Sequence, residues 1–557
     1  MTFKTEFGEE TYVNKYQQFP GETWGDRART VVSFVCGDMF GKSNNLLGKE
    51  DQGQLVRFIE EMKFMPGGRY LWYAGRPAPF LNNCYLLRLE EDTREEWASL
   101  TERAMSCLMT GGGIGMDISL CRPHGRSLSR TGGISSGPIP LLYTVNEVGR
   151  NVMQGGSRRS AMYGSMDADH GDVWRFLHAK NWHDMPIAGA FTADGSPMTI
   201  ADAKMADFNY PAPLDMMNIS INYSDEWLDG GNDEVFMENC RQALMTGEPG
   251  FSFNFGDKAN ETLRNACCEI VSSDDSDVCN LGSVNLANIE SIEELKDVVN
   301  LASKFLVCGL VRAHLPYDKV SEVRQKNSRL GLGLMGVHEW LLQRGYQYEM
   351  TDELKKWMKV YEHESKRSAD EHCNRLYLQC PKGYRAVAPT GTISIIAGTT
   401  GGVEPLYSVA YRRRFLVDGT KWKYKYVVDG TAQAIKERYG YSNEQMDGLE
   451  NAEALAADPE RRIKFQFDLQ KYIDHAVSST VNLPEWGSEL NNESHVENFS
   501  KIIRKYGHGL RGLTFYPDGS RGGQPIKAVP YSEAISKRGL IYEDNSEEQC
   551  LSGVCGI

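Results

Sequence analysis

Apolar and polar positions follow two rhythms along this 557-residue chain. Between residues 22 and 65, Leu55, Phe58, Ile59 and Met62 recur at helical spacing with Glu and Lys between them, which predicts a helical N-terminal stretch. Ser291 stands three residues before Glu294, a capping-box spacing, ahead of an apolar stripe of Leu295, Val298, Ala302 and Phe305. Thr351 caps a further predicted helix with Leu354, Trp357, Met358 and Tyr361 on one face. The second rhythm is shorter: GFSFNF, RAVAP, SIIAG, SSTVNL and GLTFY have the length and composition of strands. Strands alternating with helices give an α/β class with largely parallel strands. From residue 531 the chain is mostly polar without sustained periodicity and reads as a mobile arm.

Composition narrows the function classes. A formal net charge of -14 disfavours a nucleic-acid binder held by phosphate contacts. No apolar run is long enough for a membrane helix, and MTFKTEFGEETYVNKYQQ lacks the apolar core of a signal peptide. A cytoplasmic chain with no membrane partner is expected. In that reducing compartment the 13 cysteines do not imply a disulfide framework, and Cys36, Cys107, Cys240 and Cys308 read as small buried apolar residues. No CxxC…CxxC set suggests zinc.

Two cysteine groupings are not scattered. In Asn265-Ala266-Cys267-Cys268-Glu269, residues two apart point the same way if the loop is extended. An amide, a thiol and a carboxylate then share one small site, where the amide orients a hydroxyl and the carboxylate takes its proton. The alternative is a polar loop with two incidental thiols. Cys279 opens CNLGSVNLANI and Cys84 sits in LNNCYLL, so two thiols on neighbouring strands could come within disulfide range. Cys550 and Cys555 end the chain on its polar arm, either as stray thiols or as a dithiol shuttle serving a buried disulfide. The Gly-rich segments at 110–115 and 388–394 either pack tightly or offer N–H groups to an anion, and GGSRRS at 155–160 adds two arginines to a flexible turn.

Taken in order, LNNCYLL, GGGIGMDIS, GGISSGPIPLL, QGGSRRSAM, the NxCxE loop with CNLGSVNL, QKNSRLGLGLMGVHEWL, APTGTISIIAGTTGGVEPLYS and LTFYPDGSRGGQP resemble the catalytic subunit of ribonucleotide reductases. The resemblance implies a ten-stranded α/β barrel of two five-stranded parallel halves around a central finger loop. It implies an N-terminal helical segment over 1–75 without an ATP-cone, a catalytic barrel over 76–530 and a redox-active tail over 531–557. By the same resemblance Cys267 carries a thiyl radical that removes the ribose 3′ hydrogen, Glu269 deprotonates the 3′ hydroxyl and Asn265 holds the substrate. Cys84 and Cys279 reduce the 2′ position, and Cys550 and Cys555 regenerate them from thioredoxin or glutaredoxin. Asn83, Gly113, Thr390, Gly391, Thr392, Ile393 and Ser394 fall where the family binds its ribonucleotide substrate. Gly156, Arg158 and Arg159 fall on the turn that relays the specificity signal of an effector nucleotide (dNTP or ATP).

The family commonly has Pro and Gly flanking the radical cysteine, where this chain has Ala266 and Cys268; the NxCxE register still selects Cys267. The sequence contains no Tyr-Tyr pair, which disfavours a class fed by a separate metal subunit. YPDGSRGGQP and SSTVNLPEW resemble the adenosylcobalamin-dependent class, and with no DxHxxG the cobalamin is expected to keep its own base. MDISLCRPHGRSLSRTGGISSGP runs without the insertion of monomeric cobalamin enzymes, so a homodimer is expected through helices at 138–153 and 171–179. Diphosphate substrates are favoured on that pattern. The segment 182–214 is longer than the family's usual connection. The rival readings are a class I large subunit, a non-catalytic nucleotide-binding regulator and a glycyl-radical lyase.

Overall fold

The structure, a computed structural model, describes residues 3–38, 45–129, 132–152, 160–207, 209–417, 421–520 and 526–542. The helical N-terminal stretch is α1 (Glu6–Lys15), α2 (Trp24–Cys36) and α3 (Lys49–Glu60), with a break after Gly37 where a single stretch was expected. A capping box of Thr23 and Asp26 starts α2. Further along the chain lie α4 (Ile139–Asn151), α5 (Ile292–Arg312) and α6 (Asp352–Arg375). Ser291 accepts from Glu294 N at 3.1 Å, but the Glu294 carboxylate accepts from Glu290 N at 2.8 Å, one residue short of a reciprocal box. Thr351 caps α6 through Leu354 N at 3.1 Å. The apolar stripes of α2, α3, α5 and α6 meet in one core, with Val31, Leu55, Phe305 and Tyr361 fully buried.

The strands form a wall that closes on itself. β1 (Cys84–Arg88), β2 (Gly113–Asp117), β3 (Met162–Asp167), β4 (Met217–Tyr223) and β5 (Gly250–Phe253) lie parallel in that order. β6 (Asp277–Asn285) runs parallel to β7 (Leu330–Met335). Bridges Leu332–Arg385 and Val387–Val477 then carry the wall to β8 (Thr480–Leu483), parallel to β9 (Gly512–Pro517). The two halves join antiparallel, β9 to β5 and β6 to β1. With the segment 385–387 as a strand position, each half has five members. This is the α/β barrel expected from the sequence, and the opposed halves bring the starts of β1–β5 and the ends of β6–β9 to the same rim.

Three elements differ from expectation. SIIAG is a helical turn, Ile393–Ala397, because a short apolar run does not by itself separate a buried strand from a buried turn of helix. The arm expected from residue 531 starts as a helix, Tyr531–Ser536, whose Tyr531 and Ala534 are buried, and a strand, Ile541–Tyr542, that pairs with Lys421–Val428. That strand belongs to a four-stranded sheet with Ala410–Val417 and Ile526–Ala528 beside the barrel. The long segment 182–214 holds an exposed hairpin, Pro186–Phe191 with Pro197–Thr199, and a helix, Ile200–Ala206. No helix among the described residues is long and apolar enough to cross a membrane.

Candidate active site

A hairpin of Leu263–Arg264 and Val271–Ser272 climbs through the barrel lumen and carries Asn265 to Ile270 at its tip. Its root is fixed by Arg264, 1% exposed, which donates to Asn254 Oδ1 at 2.6 Å and to the carbonyls of Phe253 and Arg511 at 3.2 Å. Thr262 adds a hydroxyl bond to Asp117 at the end of β2. The tip closes on itself: Ile270 N donates to Asn265 Oδ1 at 2.9 Å and Cys268 N to Asn265 O at 2.9 Å. Ala476 N donates to Glu269 O at 2.8 Å and ties the tip to the other half-barrel. The hairpin fits only because β2 lacks side chains there. A Cβ on Gly115 would lie 1.6 Å from Arg264 O, and one on Gly113 3.0 Å from the Ala266 Cβ.

Around the tip lies a cavity of about 250 Å³ lined by Cys267, Glu269, Asn83, Cys84, Gly113 and the turn 388–393. Cys267 is accessible, but onto this internal space and not onto the outer surface. It also lines a narrow compartment with Cys268, Tyr163, Arg264 and Thr514, and so stands on the boundary between the two. Cys268 has a left-handed backbone, φ 66°, and lines only that second compartment. The two thiols share the narrow compartment and only Cys267 also reaches the cavity; the tip is a tight turn and not the extended loop that the spacing argument assumed, because Cys268 N bonds back to Asn265 O and Cys268 is left-handed.

Burial, with Glu269, Cys84 and Cys268 beside it, holds the Cys267 thiol well above the ordinary range. Burial and Glu269 push Cys84 up to about 12. Burial pushes Glu269 itself up to about 7. Asn265 is wholly buried behind the cavity lining, where its side chain acts on both Glu269 and Cys84. Glu269 lines the cavity and its Oε2 has no hydrogen-bond partner within the protein, so a carboxylate acceptor is left open beside the thiol, which suits a polar hydroxyl-bearing guest. The backbone register places Cys279 directly opposite Cys84 across β6 and β1. Thr390 is in a left-handed turn, φ 53°, held by Gly402 N donating to its hydroxyl at 2.7 Å. Thr390, Gly391, Thr392 and Ile393 line the cavity, whereas Ser394 is buried behind the turn.

A family model for the ribonucleotide reductase barrel domain matches residues 82–209, 233–369 and 383–516. The chain belongs to the ribonucleotide reductase family. It is similar to the vitamin B12-dependent ribonucleoside-diphosphate reductase of Mycobacterium tuberculosis, with 25% identity over 92% of this chain and 78% of that one. It is also similar to a putative adenosylcobalamin-dependent ribonucleoside-triphosphate reductase of Mycobacterium phage D29, at 23% identity over 96% of each chain. Among solved structures it resembles the Actinobacillus ureae class Id ribonucleotide reductase alpha subunit, with a TM-score of 0.69 and 16% identity over 92% of this chain and 97% of that one; this last likeness is one of fold.

The reductase cavity also includes residues that sequence reasoning left without a role: Tyr16, Arg69 and Ala161. Among the described residues Arg69 is the only basic one in the lining, and it acts on Cys84 as a nearby positive charge. Nothing in the local sequence around Arg69 signals its place in the cavity beside Cys84. The anion-site reading of 110–115 is half corrected: Gly111 and Gly113 line the cavity, while Gly115 makes room for the finger. Gly156, Arg158, Arg159, Cys550 and Cys555 lie outside the described residues.

Proposed function

We propose that this reductase is adenosylcobalamin-dependent and makes 2′-deoxyribonucleotides in the cytoplasm, with Cys267 as its radical residue. The observation that carries the reading is the place of Cys267 between two compartments. The narrow one includes Thr514 of β9; two residues on, and on the same face of that strand, Tyr516 lines a cavity of about 1100 Å³. That larger space lies at the ends of β8 and β9, bounded by Asn482, Leu483 and Pro484 on one side and by Arg412, Tyr424 and Lys527 of the four-stranded sheet on the other. Its size and its mixed apolar and polar lining fit a large macrocyclic cofactor with amide arms, and these residues would hold it. When bound, adenosylcobalamin supplies the one-electron chemistry that takes a hydrogen atom from Cys267.

The chain's own residues then act on the ribose. Cys267 removes the 3′ hydrogen, and Glu269, raised to about 7, accepts the 3′ hydroxyl proton. Asn265 serves substrate holding from behind the lining, through Glu269, on which its side chain acts. Cys84 and Cys279 supply two electrons and two protons and become a disulfide, as the 2′ hydroxyl leaves as water and a hydrogen takes its place; Cys550 with Cys555 returns them to dithiol by exchange, with electrons from thioredoxin or glutaredoxin. Asn83, Gly113 and the turn 390–393 seat the nucleotide, with diphosphates favoured, and Ser394 buttresses the turn. A homodimer is proposed through the face of α4, where Tyr143 and the neighbouring Trp174 are exposed, with an effector nucleotide at the interface read by Gly156, Arg158 and Arg159. The tail function is assigned to residues 543–557, after the packed helix and strand.

The test is turnover by the purified chain with a small dithiol and each ribonucleoside di- and triphosphate, with and without adenosylcobalamin. Deoxynucleotide formed only with the cofactor supports the reading. Turnover without it, in the presence of a diiron partner subunit, would overturn it.

A further inference from the structure

A second group of thiols converges outside the barrel lumen, in the helical layer. Cys36 ends α2, Cys308 lies in α5 and His372 in α6; the two cysteines are wholly buried and the histidine nearly so. Cys308 Sγ lies 3.3 Å from His372 Nε2, and Cys36 stands close enough to Cys308 for each thiol to shift the other's ionisation. The chain around them is held firmly. Cys36 O accepts from Leu47 N at 3.0 Å and from Gln52 Nε2 at 3.3 Å. Arg312, one turn beyond Cys308, donates to Gly37 O and Asp38 O at 2.9 Å each. The end of α2 is therefore fixed against α5 with two sulfurs side by side and an imidazole behind one of them.

That arrangement is asymmetric. Burial works to raise Cys308, but hydrogen bonds from Cys36 and His372, with the Arg375 charge nearby, carry it below the usual thiol range. Burial, and then Cys308 itself, push Cys36 well above that range. A thiol present only for packing behaves as a small hydrophobe and needs no imidazole at hydrogen-bond distance; Cys240, buried without such a partner, is that case. A thiolate-prone sulfur beside a protonated one is instead the pairing of a nucleophile with its resolving partner. None of the reductase steps above uses these residues.

We propose that Cys36 and Cys308 form a peroxide-sensitive dithiol, with Cys308 as the attacking sulfur, Cys36 as the resolving one and His372 as the positioning residue. The Cys308 thiolate attacks one oxygen of hydrogen peroxide; the O–O bond breaks and the departing hydroxide takes a proton to leave as water. The sulfenic acid formed is then attacked by Cys36, the S–O bond breaks, and a second water leaves with the Cys36 proton. Two thiols and one peroxide give one disulfide and two waters. The link joins α2 to α5.

The test uses the full chain, reduced and then treated with one equivalent of hydrogen peroxide, denatured in alkylating agent, digested and analysed by mass spectrometry. A peptide joining Cys36 to Cys308 is expected. In C36A, Cys308 should be trapped as a sulfenic acid by a dimedone-type probe, and H372Q should slow formation of the link by on the order of tenfold, because less of the sulfur is thiolate. Recovery of both residues as free thiols, after a dose that oxidises another cysteine of the chain, overturns the proposal. So does Cys308 joined to Cys373 instead. The first readout is on the unsubstituted protein, so the folding of a variant does not decide it.

Discussion

Cys84 and Cys267 in the lumen, and Cys36 and Cys308 in the helical layer, are both groups of interior thiols, yet they are set differently: both lumen thiols and Cys36 are driven up, and Cys308 alone is driven down. In the lumen burial first, and then the carboxylate of Glu269, keep both thiols protonated. In the helical layer the neighbours of Cys308 are His372 and Arg375, which favour the thiolate. A hydrogen atom can be given or taken only by an intact S–H bond, whereas attack on an oxidant or a disulfide needs the thiolate. In the lumen burial, reinforced by a negative neighbour, thus keeps the S–H bond intact, whereas at Cys308 hydrogen bonds and positive neighbours outweigh burial.

The largest effect expected from this contrast is at Glu269. If it is the base for the 3′ hydroxyl, its ionised form is the active one, so the rate should rise with pH through about 7 and level off above it. Glu269→Gln should lower kcat by about 10²–10⁴-fold and flatten that rise. A retained rise in the variant would assign the titration to another group.

The next effect is steric. Gly115→Ala puts a methyl group into Arg264 O, a backbone atom that cannot swing away. Overpacking of this kind costs about 1–3 kcal/mol. A finger displaced by about an ångström would lower turnover by roughly a hundredfold. Thermal unfolding and kcat measured together check this, and unchanged values in both would mean that the finger does not rely on β2.

The smallest effect is at Cys268. Its left-handed backbone suits glycine, so Cys268→Gly should leave stability within about 1 kcal/mol of the parent while turnover is kept. Chemical denaturation and a steady-state assay read both quantities. A large loss of turnover would give Cys268 a part in the chemistry that its absence from the lining of the substrate cavity does not suggest.

Much of the lumen site was legible because its spacing is local. Asn265, Cys267 and Glu269 lie within five residues, and a hairpin tip holds them whatever the distant chain does. Cys84 and Cys279 stand nearly 200 residues apart; the strand character of their segments was readable, and their backbone pairing comes from the antiparallel junction of the half-barrels. Arg69, Tyr16 and Gly115 were not legible as site residues, since each reaches the cavity only through tertiary packing. The same holds for Cys308 and His372, which sit in separate helices 64 residues apart. Their sequence neighbourhoods are ordinary amphipathic helix, and the reading of Cys308 as inert packing missed a partner that no local pattern announces. The helical turn Ile393–Ala397 and the packed start of the tail were misread for the opposite reason: short segments whose conformation is fixed by what they rest on.

The central claim is that Cys267, and not its neighbour, is the radical residue. The most direct measurement is turnover by Cys267→Ser and Cys268→Ser under identical conditions, with adenosylcobalamin, a small dithiol and ribonucleotide, after circular dichroism has shown both to be folded. The account predicts that Cys268→Ser makes deoxynucleotide and Cys267→Ser makes none. Product from Cys267→Ser, with loss of activity in Cys268→Ser, would contradict it.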